Sequence, residues 1–327
     1  MSTIVCFGEA LIDFLAAPIE GDGQGRVFRQ FAGGAPANAA VAIARLGGTC
    51  EFVGMLGKDM FGDFLLDSLR AAGVGTHYVR TTDQAKTALA FVSLDVRGER
   101  SFSFHRPPAA DLLFAQDDFD DDCFRDLGIF HVCSNSLTDA NIAETTITGM
   151  KRAHAAGALT SFDVNLRPSL WPAGKPLIDR IWQALALADM VKLAREELEF
   201  LQQGSATADA TIARLLHDAR LVLVTDGAAP IRWHTRNGSG TLPTQQVVAV
   251  DTTAAGDAFI GGLLCGLQRD GVNATRFDGF LADTAALEHA LRYAAACGAF
   301  AVTRHGAFAA LPTHEEALAV LATMRLP

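Results

Sequence analysis

Short apolar runs alternate with helix-like stretches along this chain, and that alternation most limits what it can fold into. The runs are Thr3–Gly8 (TIVCFG), Cys50–Leu56 (CEFVGML), Ile129–Cys133 (IFHVC), Thr160–Val164 (TSFDV), Met190–Leu193 (MVKL) and Leu221–Thr225 (LVLVT). Between them lie ANAAVAIARLG, FGDFLLDSLRAAG, DANIAETTITGMKRAHAAG and REELEFLQQ, each ending near a glycine or in a polar pair. Such β-α alternation predicts an α/β fold with a mainly parallel sheet covered on both faces by helices.

Two regions break the rhythm. Residues 11–31 hold a glycine-rich turn, EGDGQG, between extended stretches. Residues 87–106 (TALAFVSLDVRGERSFSFHR) read as a β-hairpin turning at Arg97-Gly98. Neither is flanked by helices, so both are expected in a small separate sheet. The main domain would then comprise 1–10, 32–86 and 107–327, with 11–31 and 87–106 as an inserted lid over a ligand crevice. A small sheet with exposed edges and one apolar face suits a symmetry mate, so a homodimer through the lid is expected.

Half of the 327 residues are hydrophobic, enough for a large core, and the formal net charge is -10. That charge argues against nucleic-acid binding and against an anionic membrane surface. The six cysteines form no C-x-x-C pair and read as buried small hydrophobes, which fits a reducing, cytoplasmic setting. The opening MSTIVCFGEALIDF has no basic segment, so no signal peptide is expected, and no apolar run is long enough to span a bilayer.

Four stretches can carry chemistry. In DTTAAGDAFIGG (Asp251–Gly262), small residues open a helix, so a phosphate can approach amides that lack intrahelical partners. Asp257 at that site is either a base taking a proton from an attacking hydroxyl or an aspartate stabilising a helix dipole; the residues alone leave both open. In FAGGAPANAAVAIARLGG a glycine pair, Gly33-Gly34, precedes a helix with Asn38 in its first turn, where it could meet a polar small molecule. Asp13 ends an apolar stretch where the crevice is expected. Asp163, Asn165 and Arg167 cluster beyond another strand end, and Arg167 could bind phosphate. There is no P-loop, no G-x-G-x-x-G, no G-x-S-x-G and no zinc spacing.

Two long segments, AGGAPANAAVAIARLGGTCEFVGMLGKDMFG and DTTAAGDAFIGG, in that order, resemble the two signatures of the ribokinase-like (PfkB) carbohydrate kinase family. SFHRPPAADLLF, DVNLRPSLWP and VKLAREELEFL are similar to its fructokinase members. The last two also resemble 2-keto-3-deoxygluconate kinases, which keeps that substrate as the alternative. The resemblance implies a three-layer α/β/α sandwich with a β-sheet lid, phosphorylating a sugar from ATP with Mg2+ and a monovalent cation, potassium. A non-catalytic sugar sensor on the same fold is the alternative from another class; the presence of Asp257 speaks against it.

By the same resemblance, Asp257 would be the base and the amides of Ala254, Ala255 and Gly256 the anion hole. Asp13, Gly33, Gly34, Asn38 and Arg106 would hold the sugar, and Arg167 the phosphate charge. Thr225 and Gly227, with residues near Ala295, Gly298 and Thr303, would take the nucleotide. Glu197 would support magnesium through water. Asp251, Thr253, Ala301, Arg304, Gly306 and Ala310 would ring the monovalent cation, mostly with backbone oxygens. The chain departs from the family pattern at Ala194, where an asparagine is usual, at Pro230 for a glycine, and at Ala310 for a serine.

Overall fold

The structure, a computed structural model, describes residues 2–16, 27–94, 100–202 and 207–323. It contains strands β1 (Thr3–Phe7), β2 (Leu11–Ala16), β3 (Phe28–Gly33), β4 (Cys50–Gly57), β5 (Val79–Thr82), β6 (Leu89–Leu94) and β7 (Arg100–His105). After these come β8 (Leu127–Cys133), β9 (Leu159–Asp163), β10 (Met190–Ala194), β11 (Leu221–Thr225), β12 (Ile231–Thr235) and β13 (Gly238–Leu242). Nine form one sheet in the order β13-β12-β11-β10-β9-β8-β1-β4-β5. The run from β11 to β5 is parallel, while β12 and β13 add antiparallel at one edge.

The alternation of strands and helices is therefore realised as read. All six expected core strands are present, Leu221–Thr225 with the expected bounds and the other five with one or both ends shifted by one or two residues. Side chains leave a strand on alternate faces. Ile4 and Cys6 of β1 accordingly enter one core and Val5 and Phe7 the other. Both faces are sealed from water, which is why these strands carry continuous apolar runs.

The second sheet has the order β3-β2-β6-β7. β2 pairs antiparallel with β3 and parallel with β6, and β6 pairs antiparallel with β7. The two turns expected at EGDGQG and at Arg97-Gly98 lie outside the described residues. Thr87, just before β6, anchors this sheet to the body. Its amide and hydroxyl both donate to Asp59, at 2.9 and 2.8 Å, and Asp59 also caps the helix Met60–Ala71.

Two helices set the geometry of the crevice. Ala35–Arg45 and Ala255–Arg269 lie side by side with their N-termini at the same end. Their small residues permit this: a Cβ built on Gly261 would come within 2.5 Å of Ala42 Cβ. Among the described residues no helix is long and apolar enough to cross a membrane.

Candidate active site

Both helix N-termini open into the crevice at the carboxyl ends of the parallel strands, where open α/β sheets bind ligands. Ala35–Arg45 starts after Gly34, whose φ of 104° favours glycine, and whose Cβ would meet Glu9 O at 2.6 Å. Asn38 lies in its first turn and donates from Nδ2 to Asp257 Oδ2 at 2.7 Å. Asn38 Oδ1 is buried without a partner, and the residue lines the adjoining cavity.

Asp257 is 7% exposed. Burial pushes its carboxyl above the ordinary aspartate value, while the Asn38 hydrogen bond, Lys192 and Arg167 pull it down. It sits in the opening turn of Ala255–Arg269, whose N-cap, Ala254, supplies no side-chain cap. Ala255 N makes a long bond of 3.4 Å to Thr252 O, and the amides that follow it in the first turn remain available to an anion. Of the two roles the sequence left open, helix-dipole partner and base, the burial and the Asn38 contact favour a group held ready for chemistry.

Asp257 forms part of the wall between two cavities. One, of about 440 Å³, is lined by Glu9, Asp13, Gly34, Asn38, Asn135 and Phe104 among others. The second, of about 510 Å³, is lined by Thr225, Gly227, Ile231, Phe259, Ala295 and Gly298 among others. Asn165, Arg167, Thr252, Thr253 and Asp257 line both. The first cavity is rich in hydrogen-bonding groups and suits a polyol. The second, flanked by apolar residues and small enough at Gly227 and Gly298 for close approach, suits a planar base with a phosphate tail.

The structure thus gathers most of the expected residues. Gly33 lies beside Asp13, and a Cβ on it would run into Asp13 Oδ2. Thr303 is displaced from the expected nucleotide group: it lines neither cavity, and its hydroxyl donates to Phe300 O at 2.7 Å. Arg106 is also not a lining residue. It is 4% exposed and donates to Asp111 Oδ2 at 2.7 Å, to Asn135 O at 2.9 Å and to Thr138 Oγ1 at 3.2 Å. Asp111 is therefore the buried partner of Arg106. Asn135, which lines the cavity, links Arg106 to Glu9: its carbonyl accepts from Arg106 and its Nδ2 donates to Glu9 Oε1 at 2.9 Å.

Glu197 lines the nucleotide cavity, and its two oxygens accept from the amides of Leu166 and Ala194, each at 2.7 Å. Each oxygen retains a lone pair, so the residue fits a contact to magnesium through water. Asp251 accepts from Thr253 N at 2.8 Å and Gly306 N at 3.1 Å, and its own amide donates to Val302 O at 3.1 Å. That ties 251–253 to 301–306, with Ala301, Gly306 and Ala310 buried close by in the chain, a setting that fits a cation held largely by backbone oxygens. Arg304 turns its side chain outward to Glu316.

Two site residues, Glu9 and Lys192, were not singled out in the sequence, and the pairing of Asp163 with Lys192 was not foreseen. Glu9 hides in GEALIDF, and Lys192 and Asp163 lie in strands, where they pair at 3.0 Å through both carboxylate oxygens. A lysine inside a buried strand is costly enough to have been a signal.

Residues 1–314 match the pfkB family carbohydrate kinases. The chain belongs to the pfkB family of carbohydrate kinases. Within this family it is 40% identical over 316 residues to fructokinase-2 of Oryza sativa subsp. japonica, covering 95% of this chain and 91% of that one. Among solved structures, the fructokinase of Xylella fastidiosa with bound ATP is 55% identical, covers 98% of both chains and has a TM-score of 0.94. A fructokinase double mutant of Vibrio cholerae O395, bound to fructose, ADP and a potassium ion, is 32% identical, covers 98% of both chains and has a TM-score of 0.84. The family match extends over both sheets and both signature segments, so the pfkB fold expected from the sequence is the fold observed.

Proposed function

We propose that this pfkB-family chain is an ATP-dependent fructokinase, transferring the γ-phosphoryl group of ATP to the 6-hydroxyl of D-fructose to give fructose 6-phosphate and ADP. The observation that carries this is Asp257, standing where the polyol-lined and nucleotide-shaped cavities meet, beside open helix amides. The fructokinase relatives from rice and Xylella support the same substrate. Charge supports it as well. Glu9, Asp13 and Asp257 line the sugar cavity against the single guanidinium of Arg167. A substrate with its own carboxylate, such as 2-keto-3-deoxygluconate, meets repulsion there.

In the proposed reaction Asp257 takes the proton of the 6-hydroxyl as its oxygen attacks the γ-phosphorus. The amides of Ala254, Ala255 and Gly256 receive the charge on the phosphoryl oxygens, and Arg167 steadies it. Gly33, Gly34, Asn38 and Asp13 orient the sugar. Magnesium, bound with ATP and reached by Glu197 through water, would neutralise phosphate charge. Potassium near Asp251 would stiffen the loop that presents the amides, a reading supported by the Vibrio cholerae relative. The smaller sheet, assigned to residues 11–31 and 87–106, would act as a lid that excludes water and so prevents ATP hydrolysis. A cytoplasmic setting is part of this reading, supported by six buried free thiols.

A coupled ADP-release assay with Mg·ATP tests the proposal, run on fructose, 2-keto-3-deoxygluconate, ribose and adenosine, in potassium and in sodium. Turnover of fructose, abolished in Asp257→Asn and faster in potassium, is the expected result. Turnover of the keto acid alone would overturn the sugar. Sugar binding with no turnover would favour a sensor.

A further inference from the structure

Lys192 has no assigned part in the site. It lies in β10 and is 6% exposed. An ammonium that deeply buried costs several kcal/mol unless it is paired. Two of its three N–H bonds go to Asp163. No acceptor among the described residues takes the third.

The position of Nζ shows where that third donor is of use. Lys192 lines the nucleotide cavity together with Gly256 and Asp257. A Cβ built on Gly256 would lie 2.8 Å from Nζ, so the ammonium stands against the opening turn of Ala255–Arg269. A helix N-terminus carries partial positive charge and repels a cation. The carboxylates of Asp163, Glu197 and Asp257 surround the ammonium and offset that repulsion, and an anion seated between Nζ and the helix amides would be attracted by both donors. Ala194 strengthens the case. Where the family has an asparagine the chain has a methyl group, and Glu197 beside it is already held by two amides. Lys192 and Arg167 are the cationic side chains that line this cavity.

We propose that Lys192 is a further catalytic residue whose ammonium touches the γ-phosphoryl group of ATP and holds the charge on its oxygens during transfer. This rests on the kinase reading above. In the step, the C6 oxygen gives its proton to Asp257 and forms the new O–P bond. The bond from the γ-phosphorus to the β,γ-bridging oxygen breaks, and its electron pair leaves with ADP. Lys192 transfers no proton and stays an ammonium throughout. Asp163 is a positioning residue that aims it. A lysine with a purely structural role would instead do no more than neutralise Asp163.

The test compares Lys192→Met, Lys192→Arg and the double variant Lys192→Met/Asp163→Asn, which removes both charges. Calorimetric titration with metal-free ATP and with ADP reads the γ-phosphoryl contact without turnover. Lys192→Met should lose roughly tenfold more affinity for ATP than for ADP. Its kcat for fructose should fall about 10²-fold at similar fructose KM. Lys192→Arg should keep most of the ATP preference. The double variant should recover the melting temperature but neither the rate nor the preference, and it carries the comparison if the single variant does not fold. A double variant with restored rate, or a Lys192→Met protein with the wild-type ATP preference, would overturn the proposal. If the wild-type protein leaves fructose untouched, the substrate reading fails, and the titrations still decide Lys192.

Discussion

Asn38 Nδ2 donates to Asp257 Oδ2 at 2.7 Å across 219 positions of sequence. The bond joins the first turns of two parallel helices and fixes the carboxylate where the two cavities meet. It also stabilises the ionised form of Asp257, against the effect of burial. The proposed reaction requires that form, so turnover should fall as pH drops through the raised pKa. In Asn38→Ala the stabilising donor is gone and the pKa rises further. The acid limb of kcat/KM against pH should therefore move to higher pH, as rate profiles on fructose would record.

Asp257→Asn separates catalysis from stability. Turnover should fall by at least about 10³-fold, since the base is lost. The fold should become more stable at pH 7. A carboxyl whose folded pKa lies above its unfolded value, here 3.8, destabilises the fold progressively as pH rises through that window. The neutral amide escapes this penalty. Thermal melts at pH 4 and pH 7 should show the gain at pH 7 and little at pH 4.

Arg106 and Asp111 form a buried pair with side chains 1% and 3% exposed. Arg106→Gln strands a buried carboxylate and should cost about 3–5 kcal/mol in urea unfolding. Arg106→Met/Asp111→Leu should lose less. A Gln variant of unchanged stability and raised fructose KM would instead return Arg106 to the sugar.

Gly33→Ala drives a methyl group into Asp13 Oδ2. Displacing that carboxylate by about 1 Å should lower kcat/KM for fructose by about 10²-fold with the fold intact. Steady-state kinetics beside a circular dichroism melt would check both halves.

The four-stranded sheet carries a row of half-buried aromatic rings. Phe14 stacks on Phe91 at 5.1 Å, and Phe28 meets Phe91 edge-on at 5.4 Å. A second copy covering this sheet would seal them, and we expect a homodimer. Sedimentation velocity at micromolar protein should give the dimer mass; monomer alone would remove the expectation.

The central-sheet strands legible in the sequence were those sealed on both faces, because burial demands uninterrupted apolar residues, while the lid hairpin was legible from its alternation. β5 (VRTT), β12 (IRWHT) and β13 (GSGTL) escaped notice. They lie at or near the sheet edges, where water admits polar residues and the apolar run disappears. The site divided in the same way. Asp257, Asn38 and the small residues around them sit in long local patterns and could be read directly. Lys192 and Asp163 meet only because β9 and β10 are neighbours in register. The resemblance implied that Arg106 would hold the sugar, yet it pairs with Asp111 in the interior. Pairings made by tertiary contact leave no local mark.

The packing of Ala35–Arg45 against Ala255–Arg269 has a consequence for synthesis. The first helix leaves the ribosome long before its partner is translated, and β1 must wait for both β4 and β8. Until then its alanine-rich face has no native cover and is open to chaperones or to a neighbouring nascent chain. A message truncated before codon 255 would therefore yield a protein that lacks Asp257 and also leaves one wall of its core bare, a target for proteolysis rather than a slow enzyme.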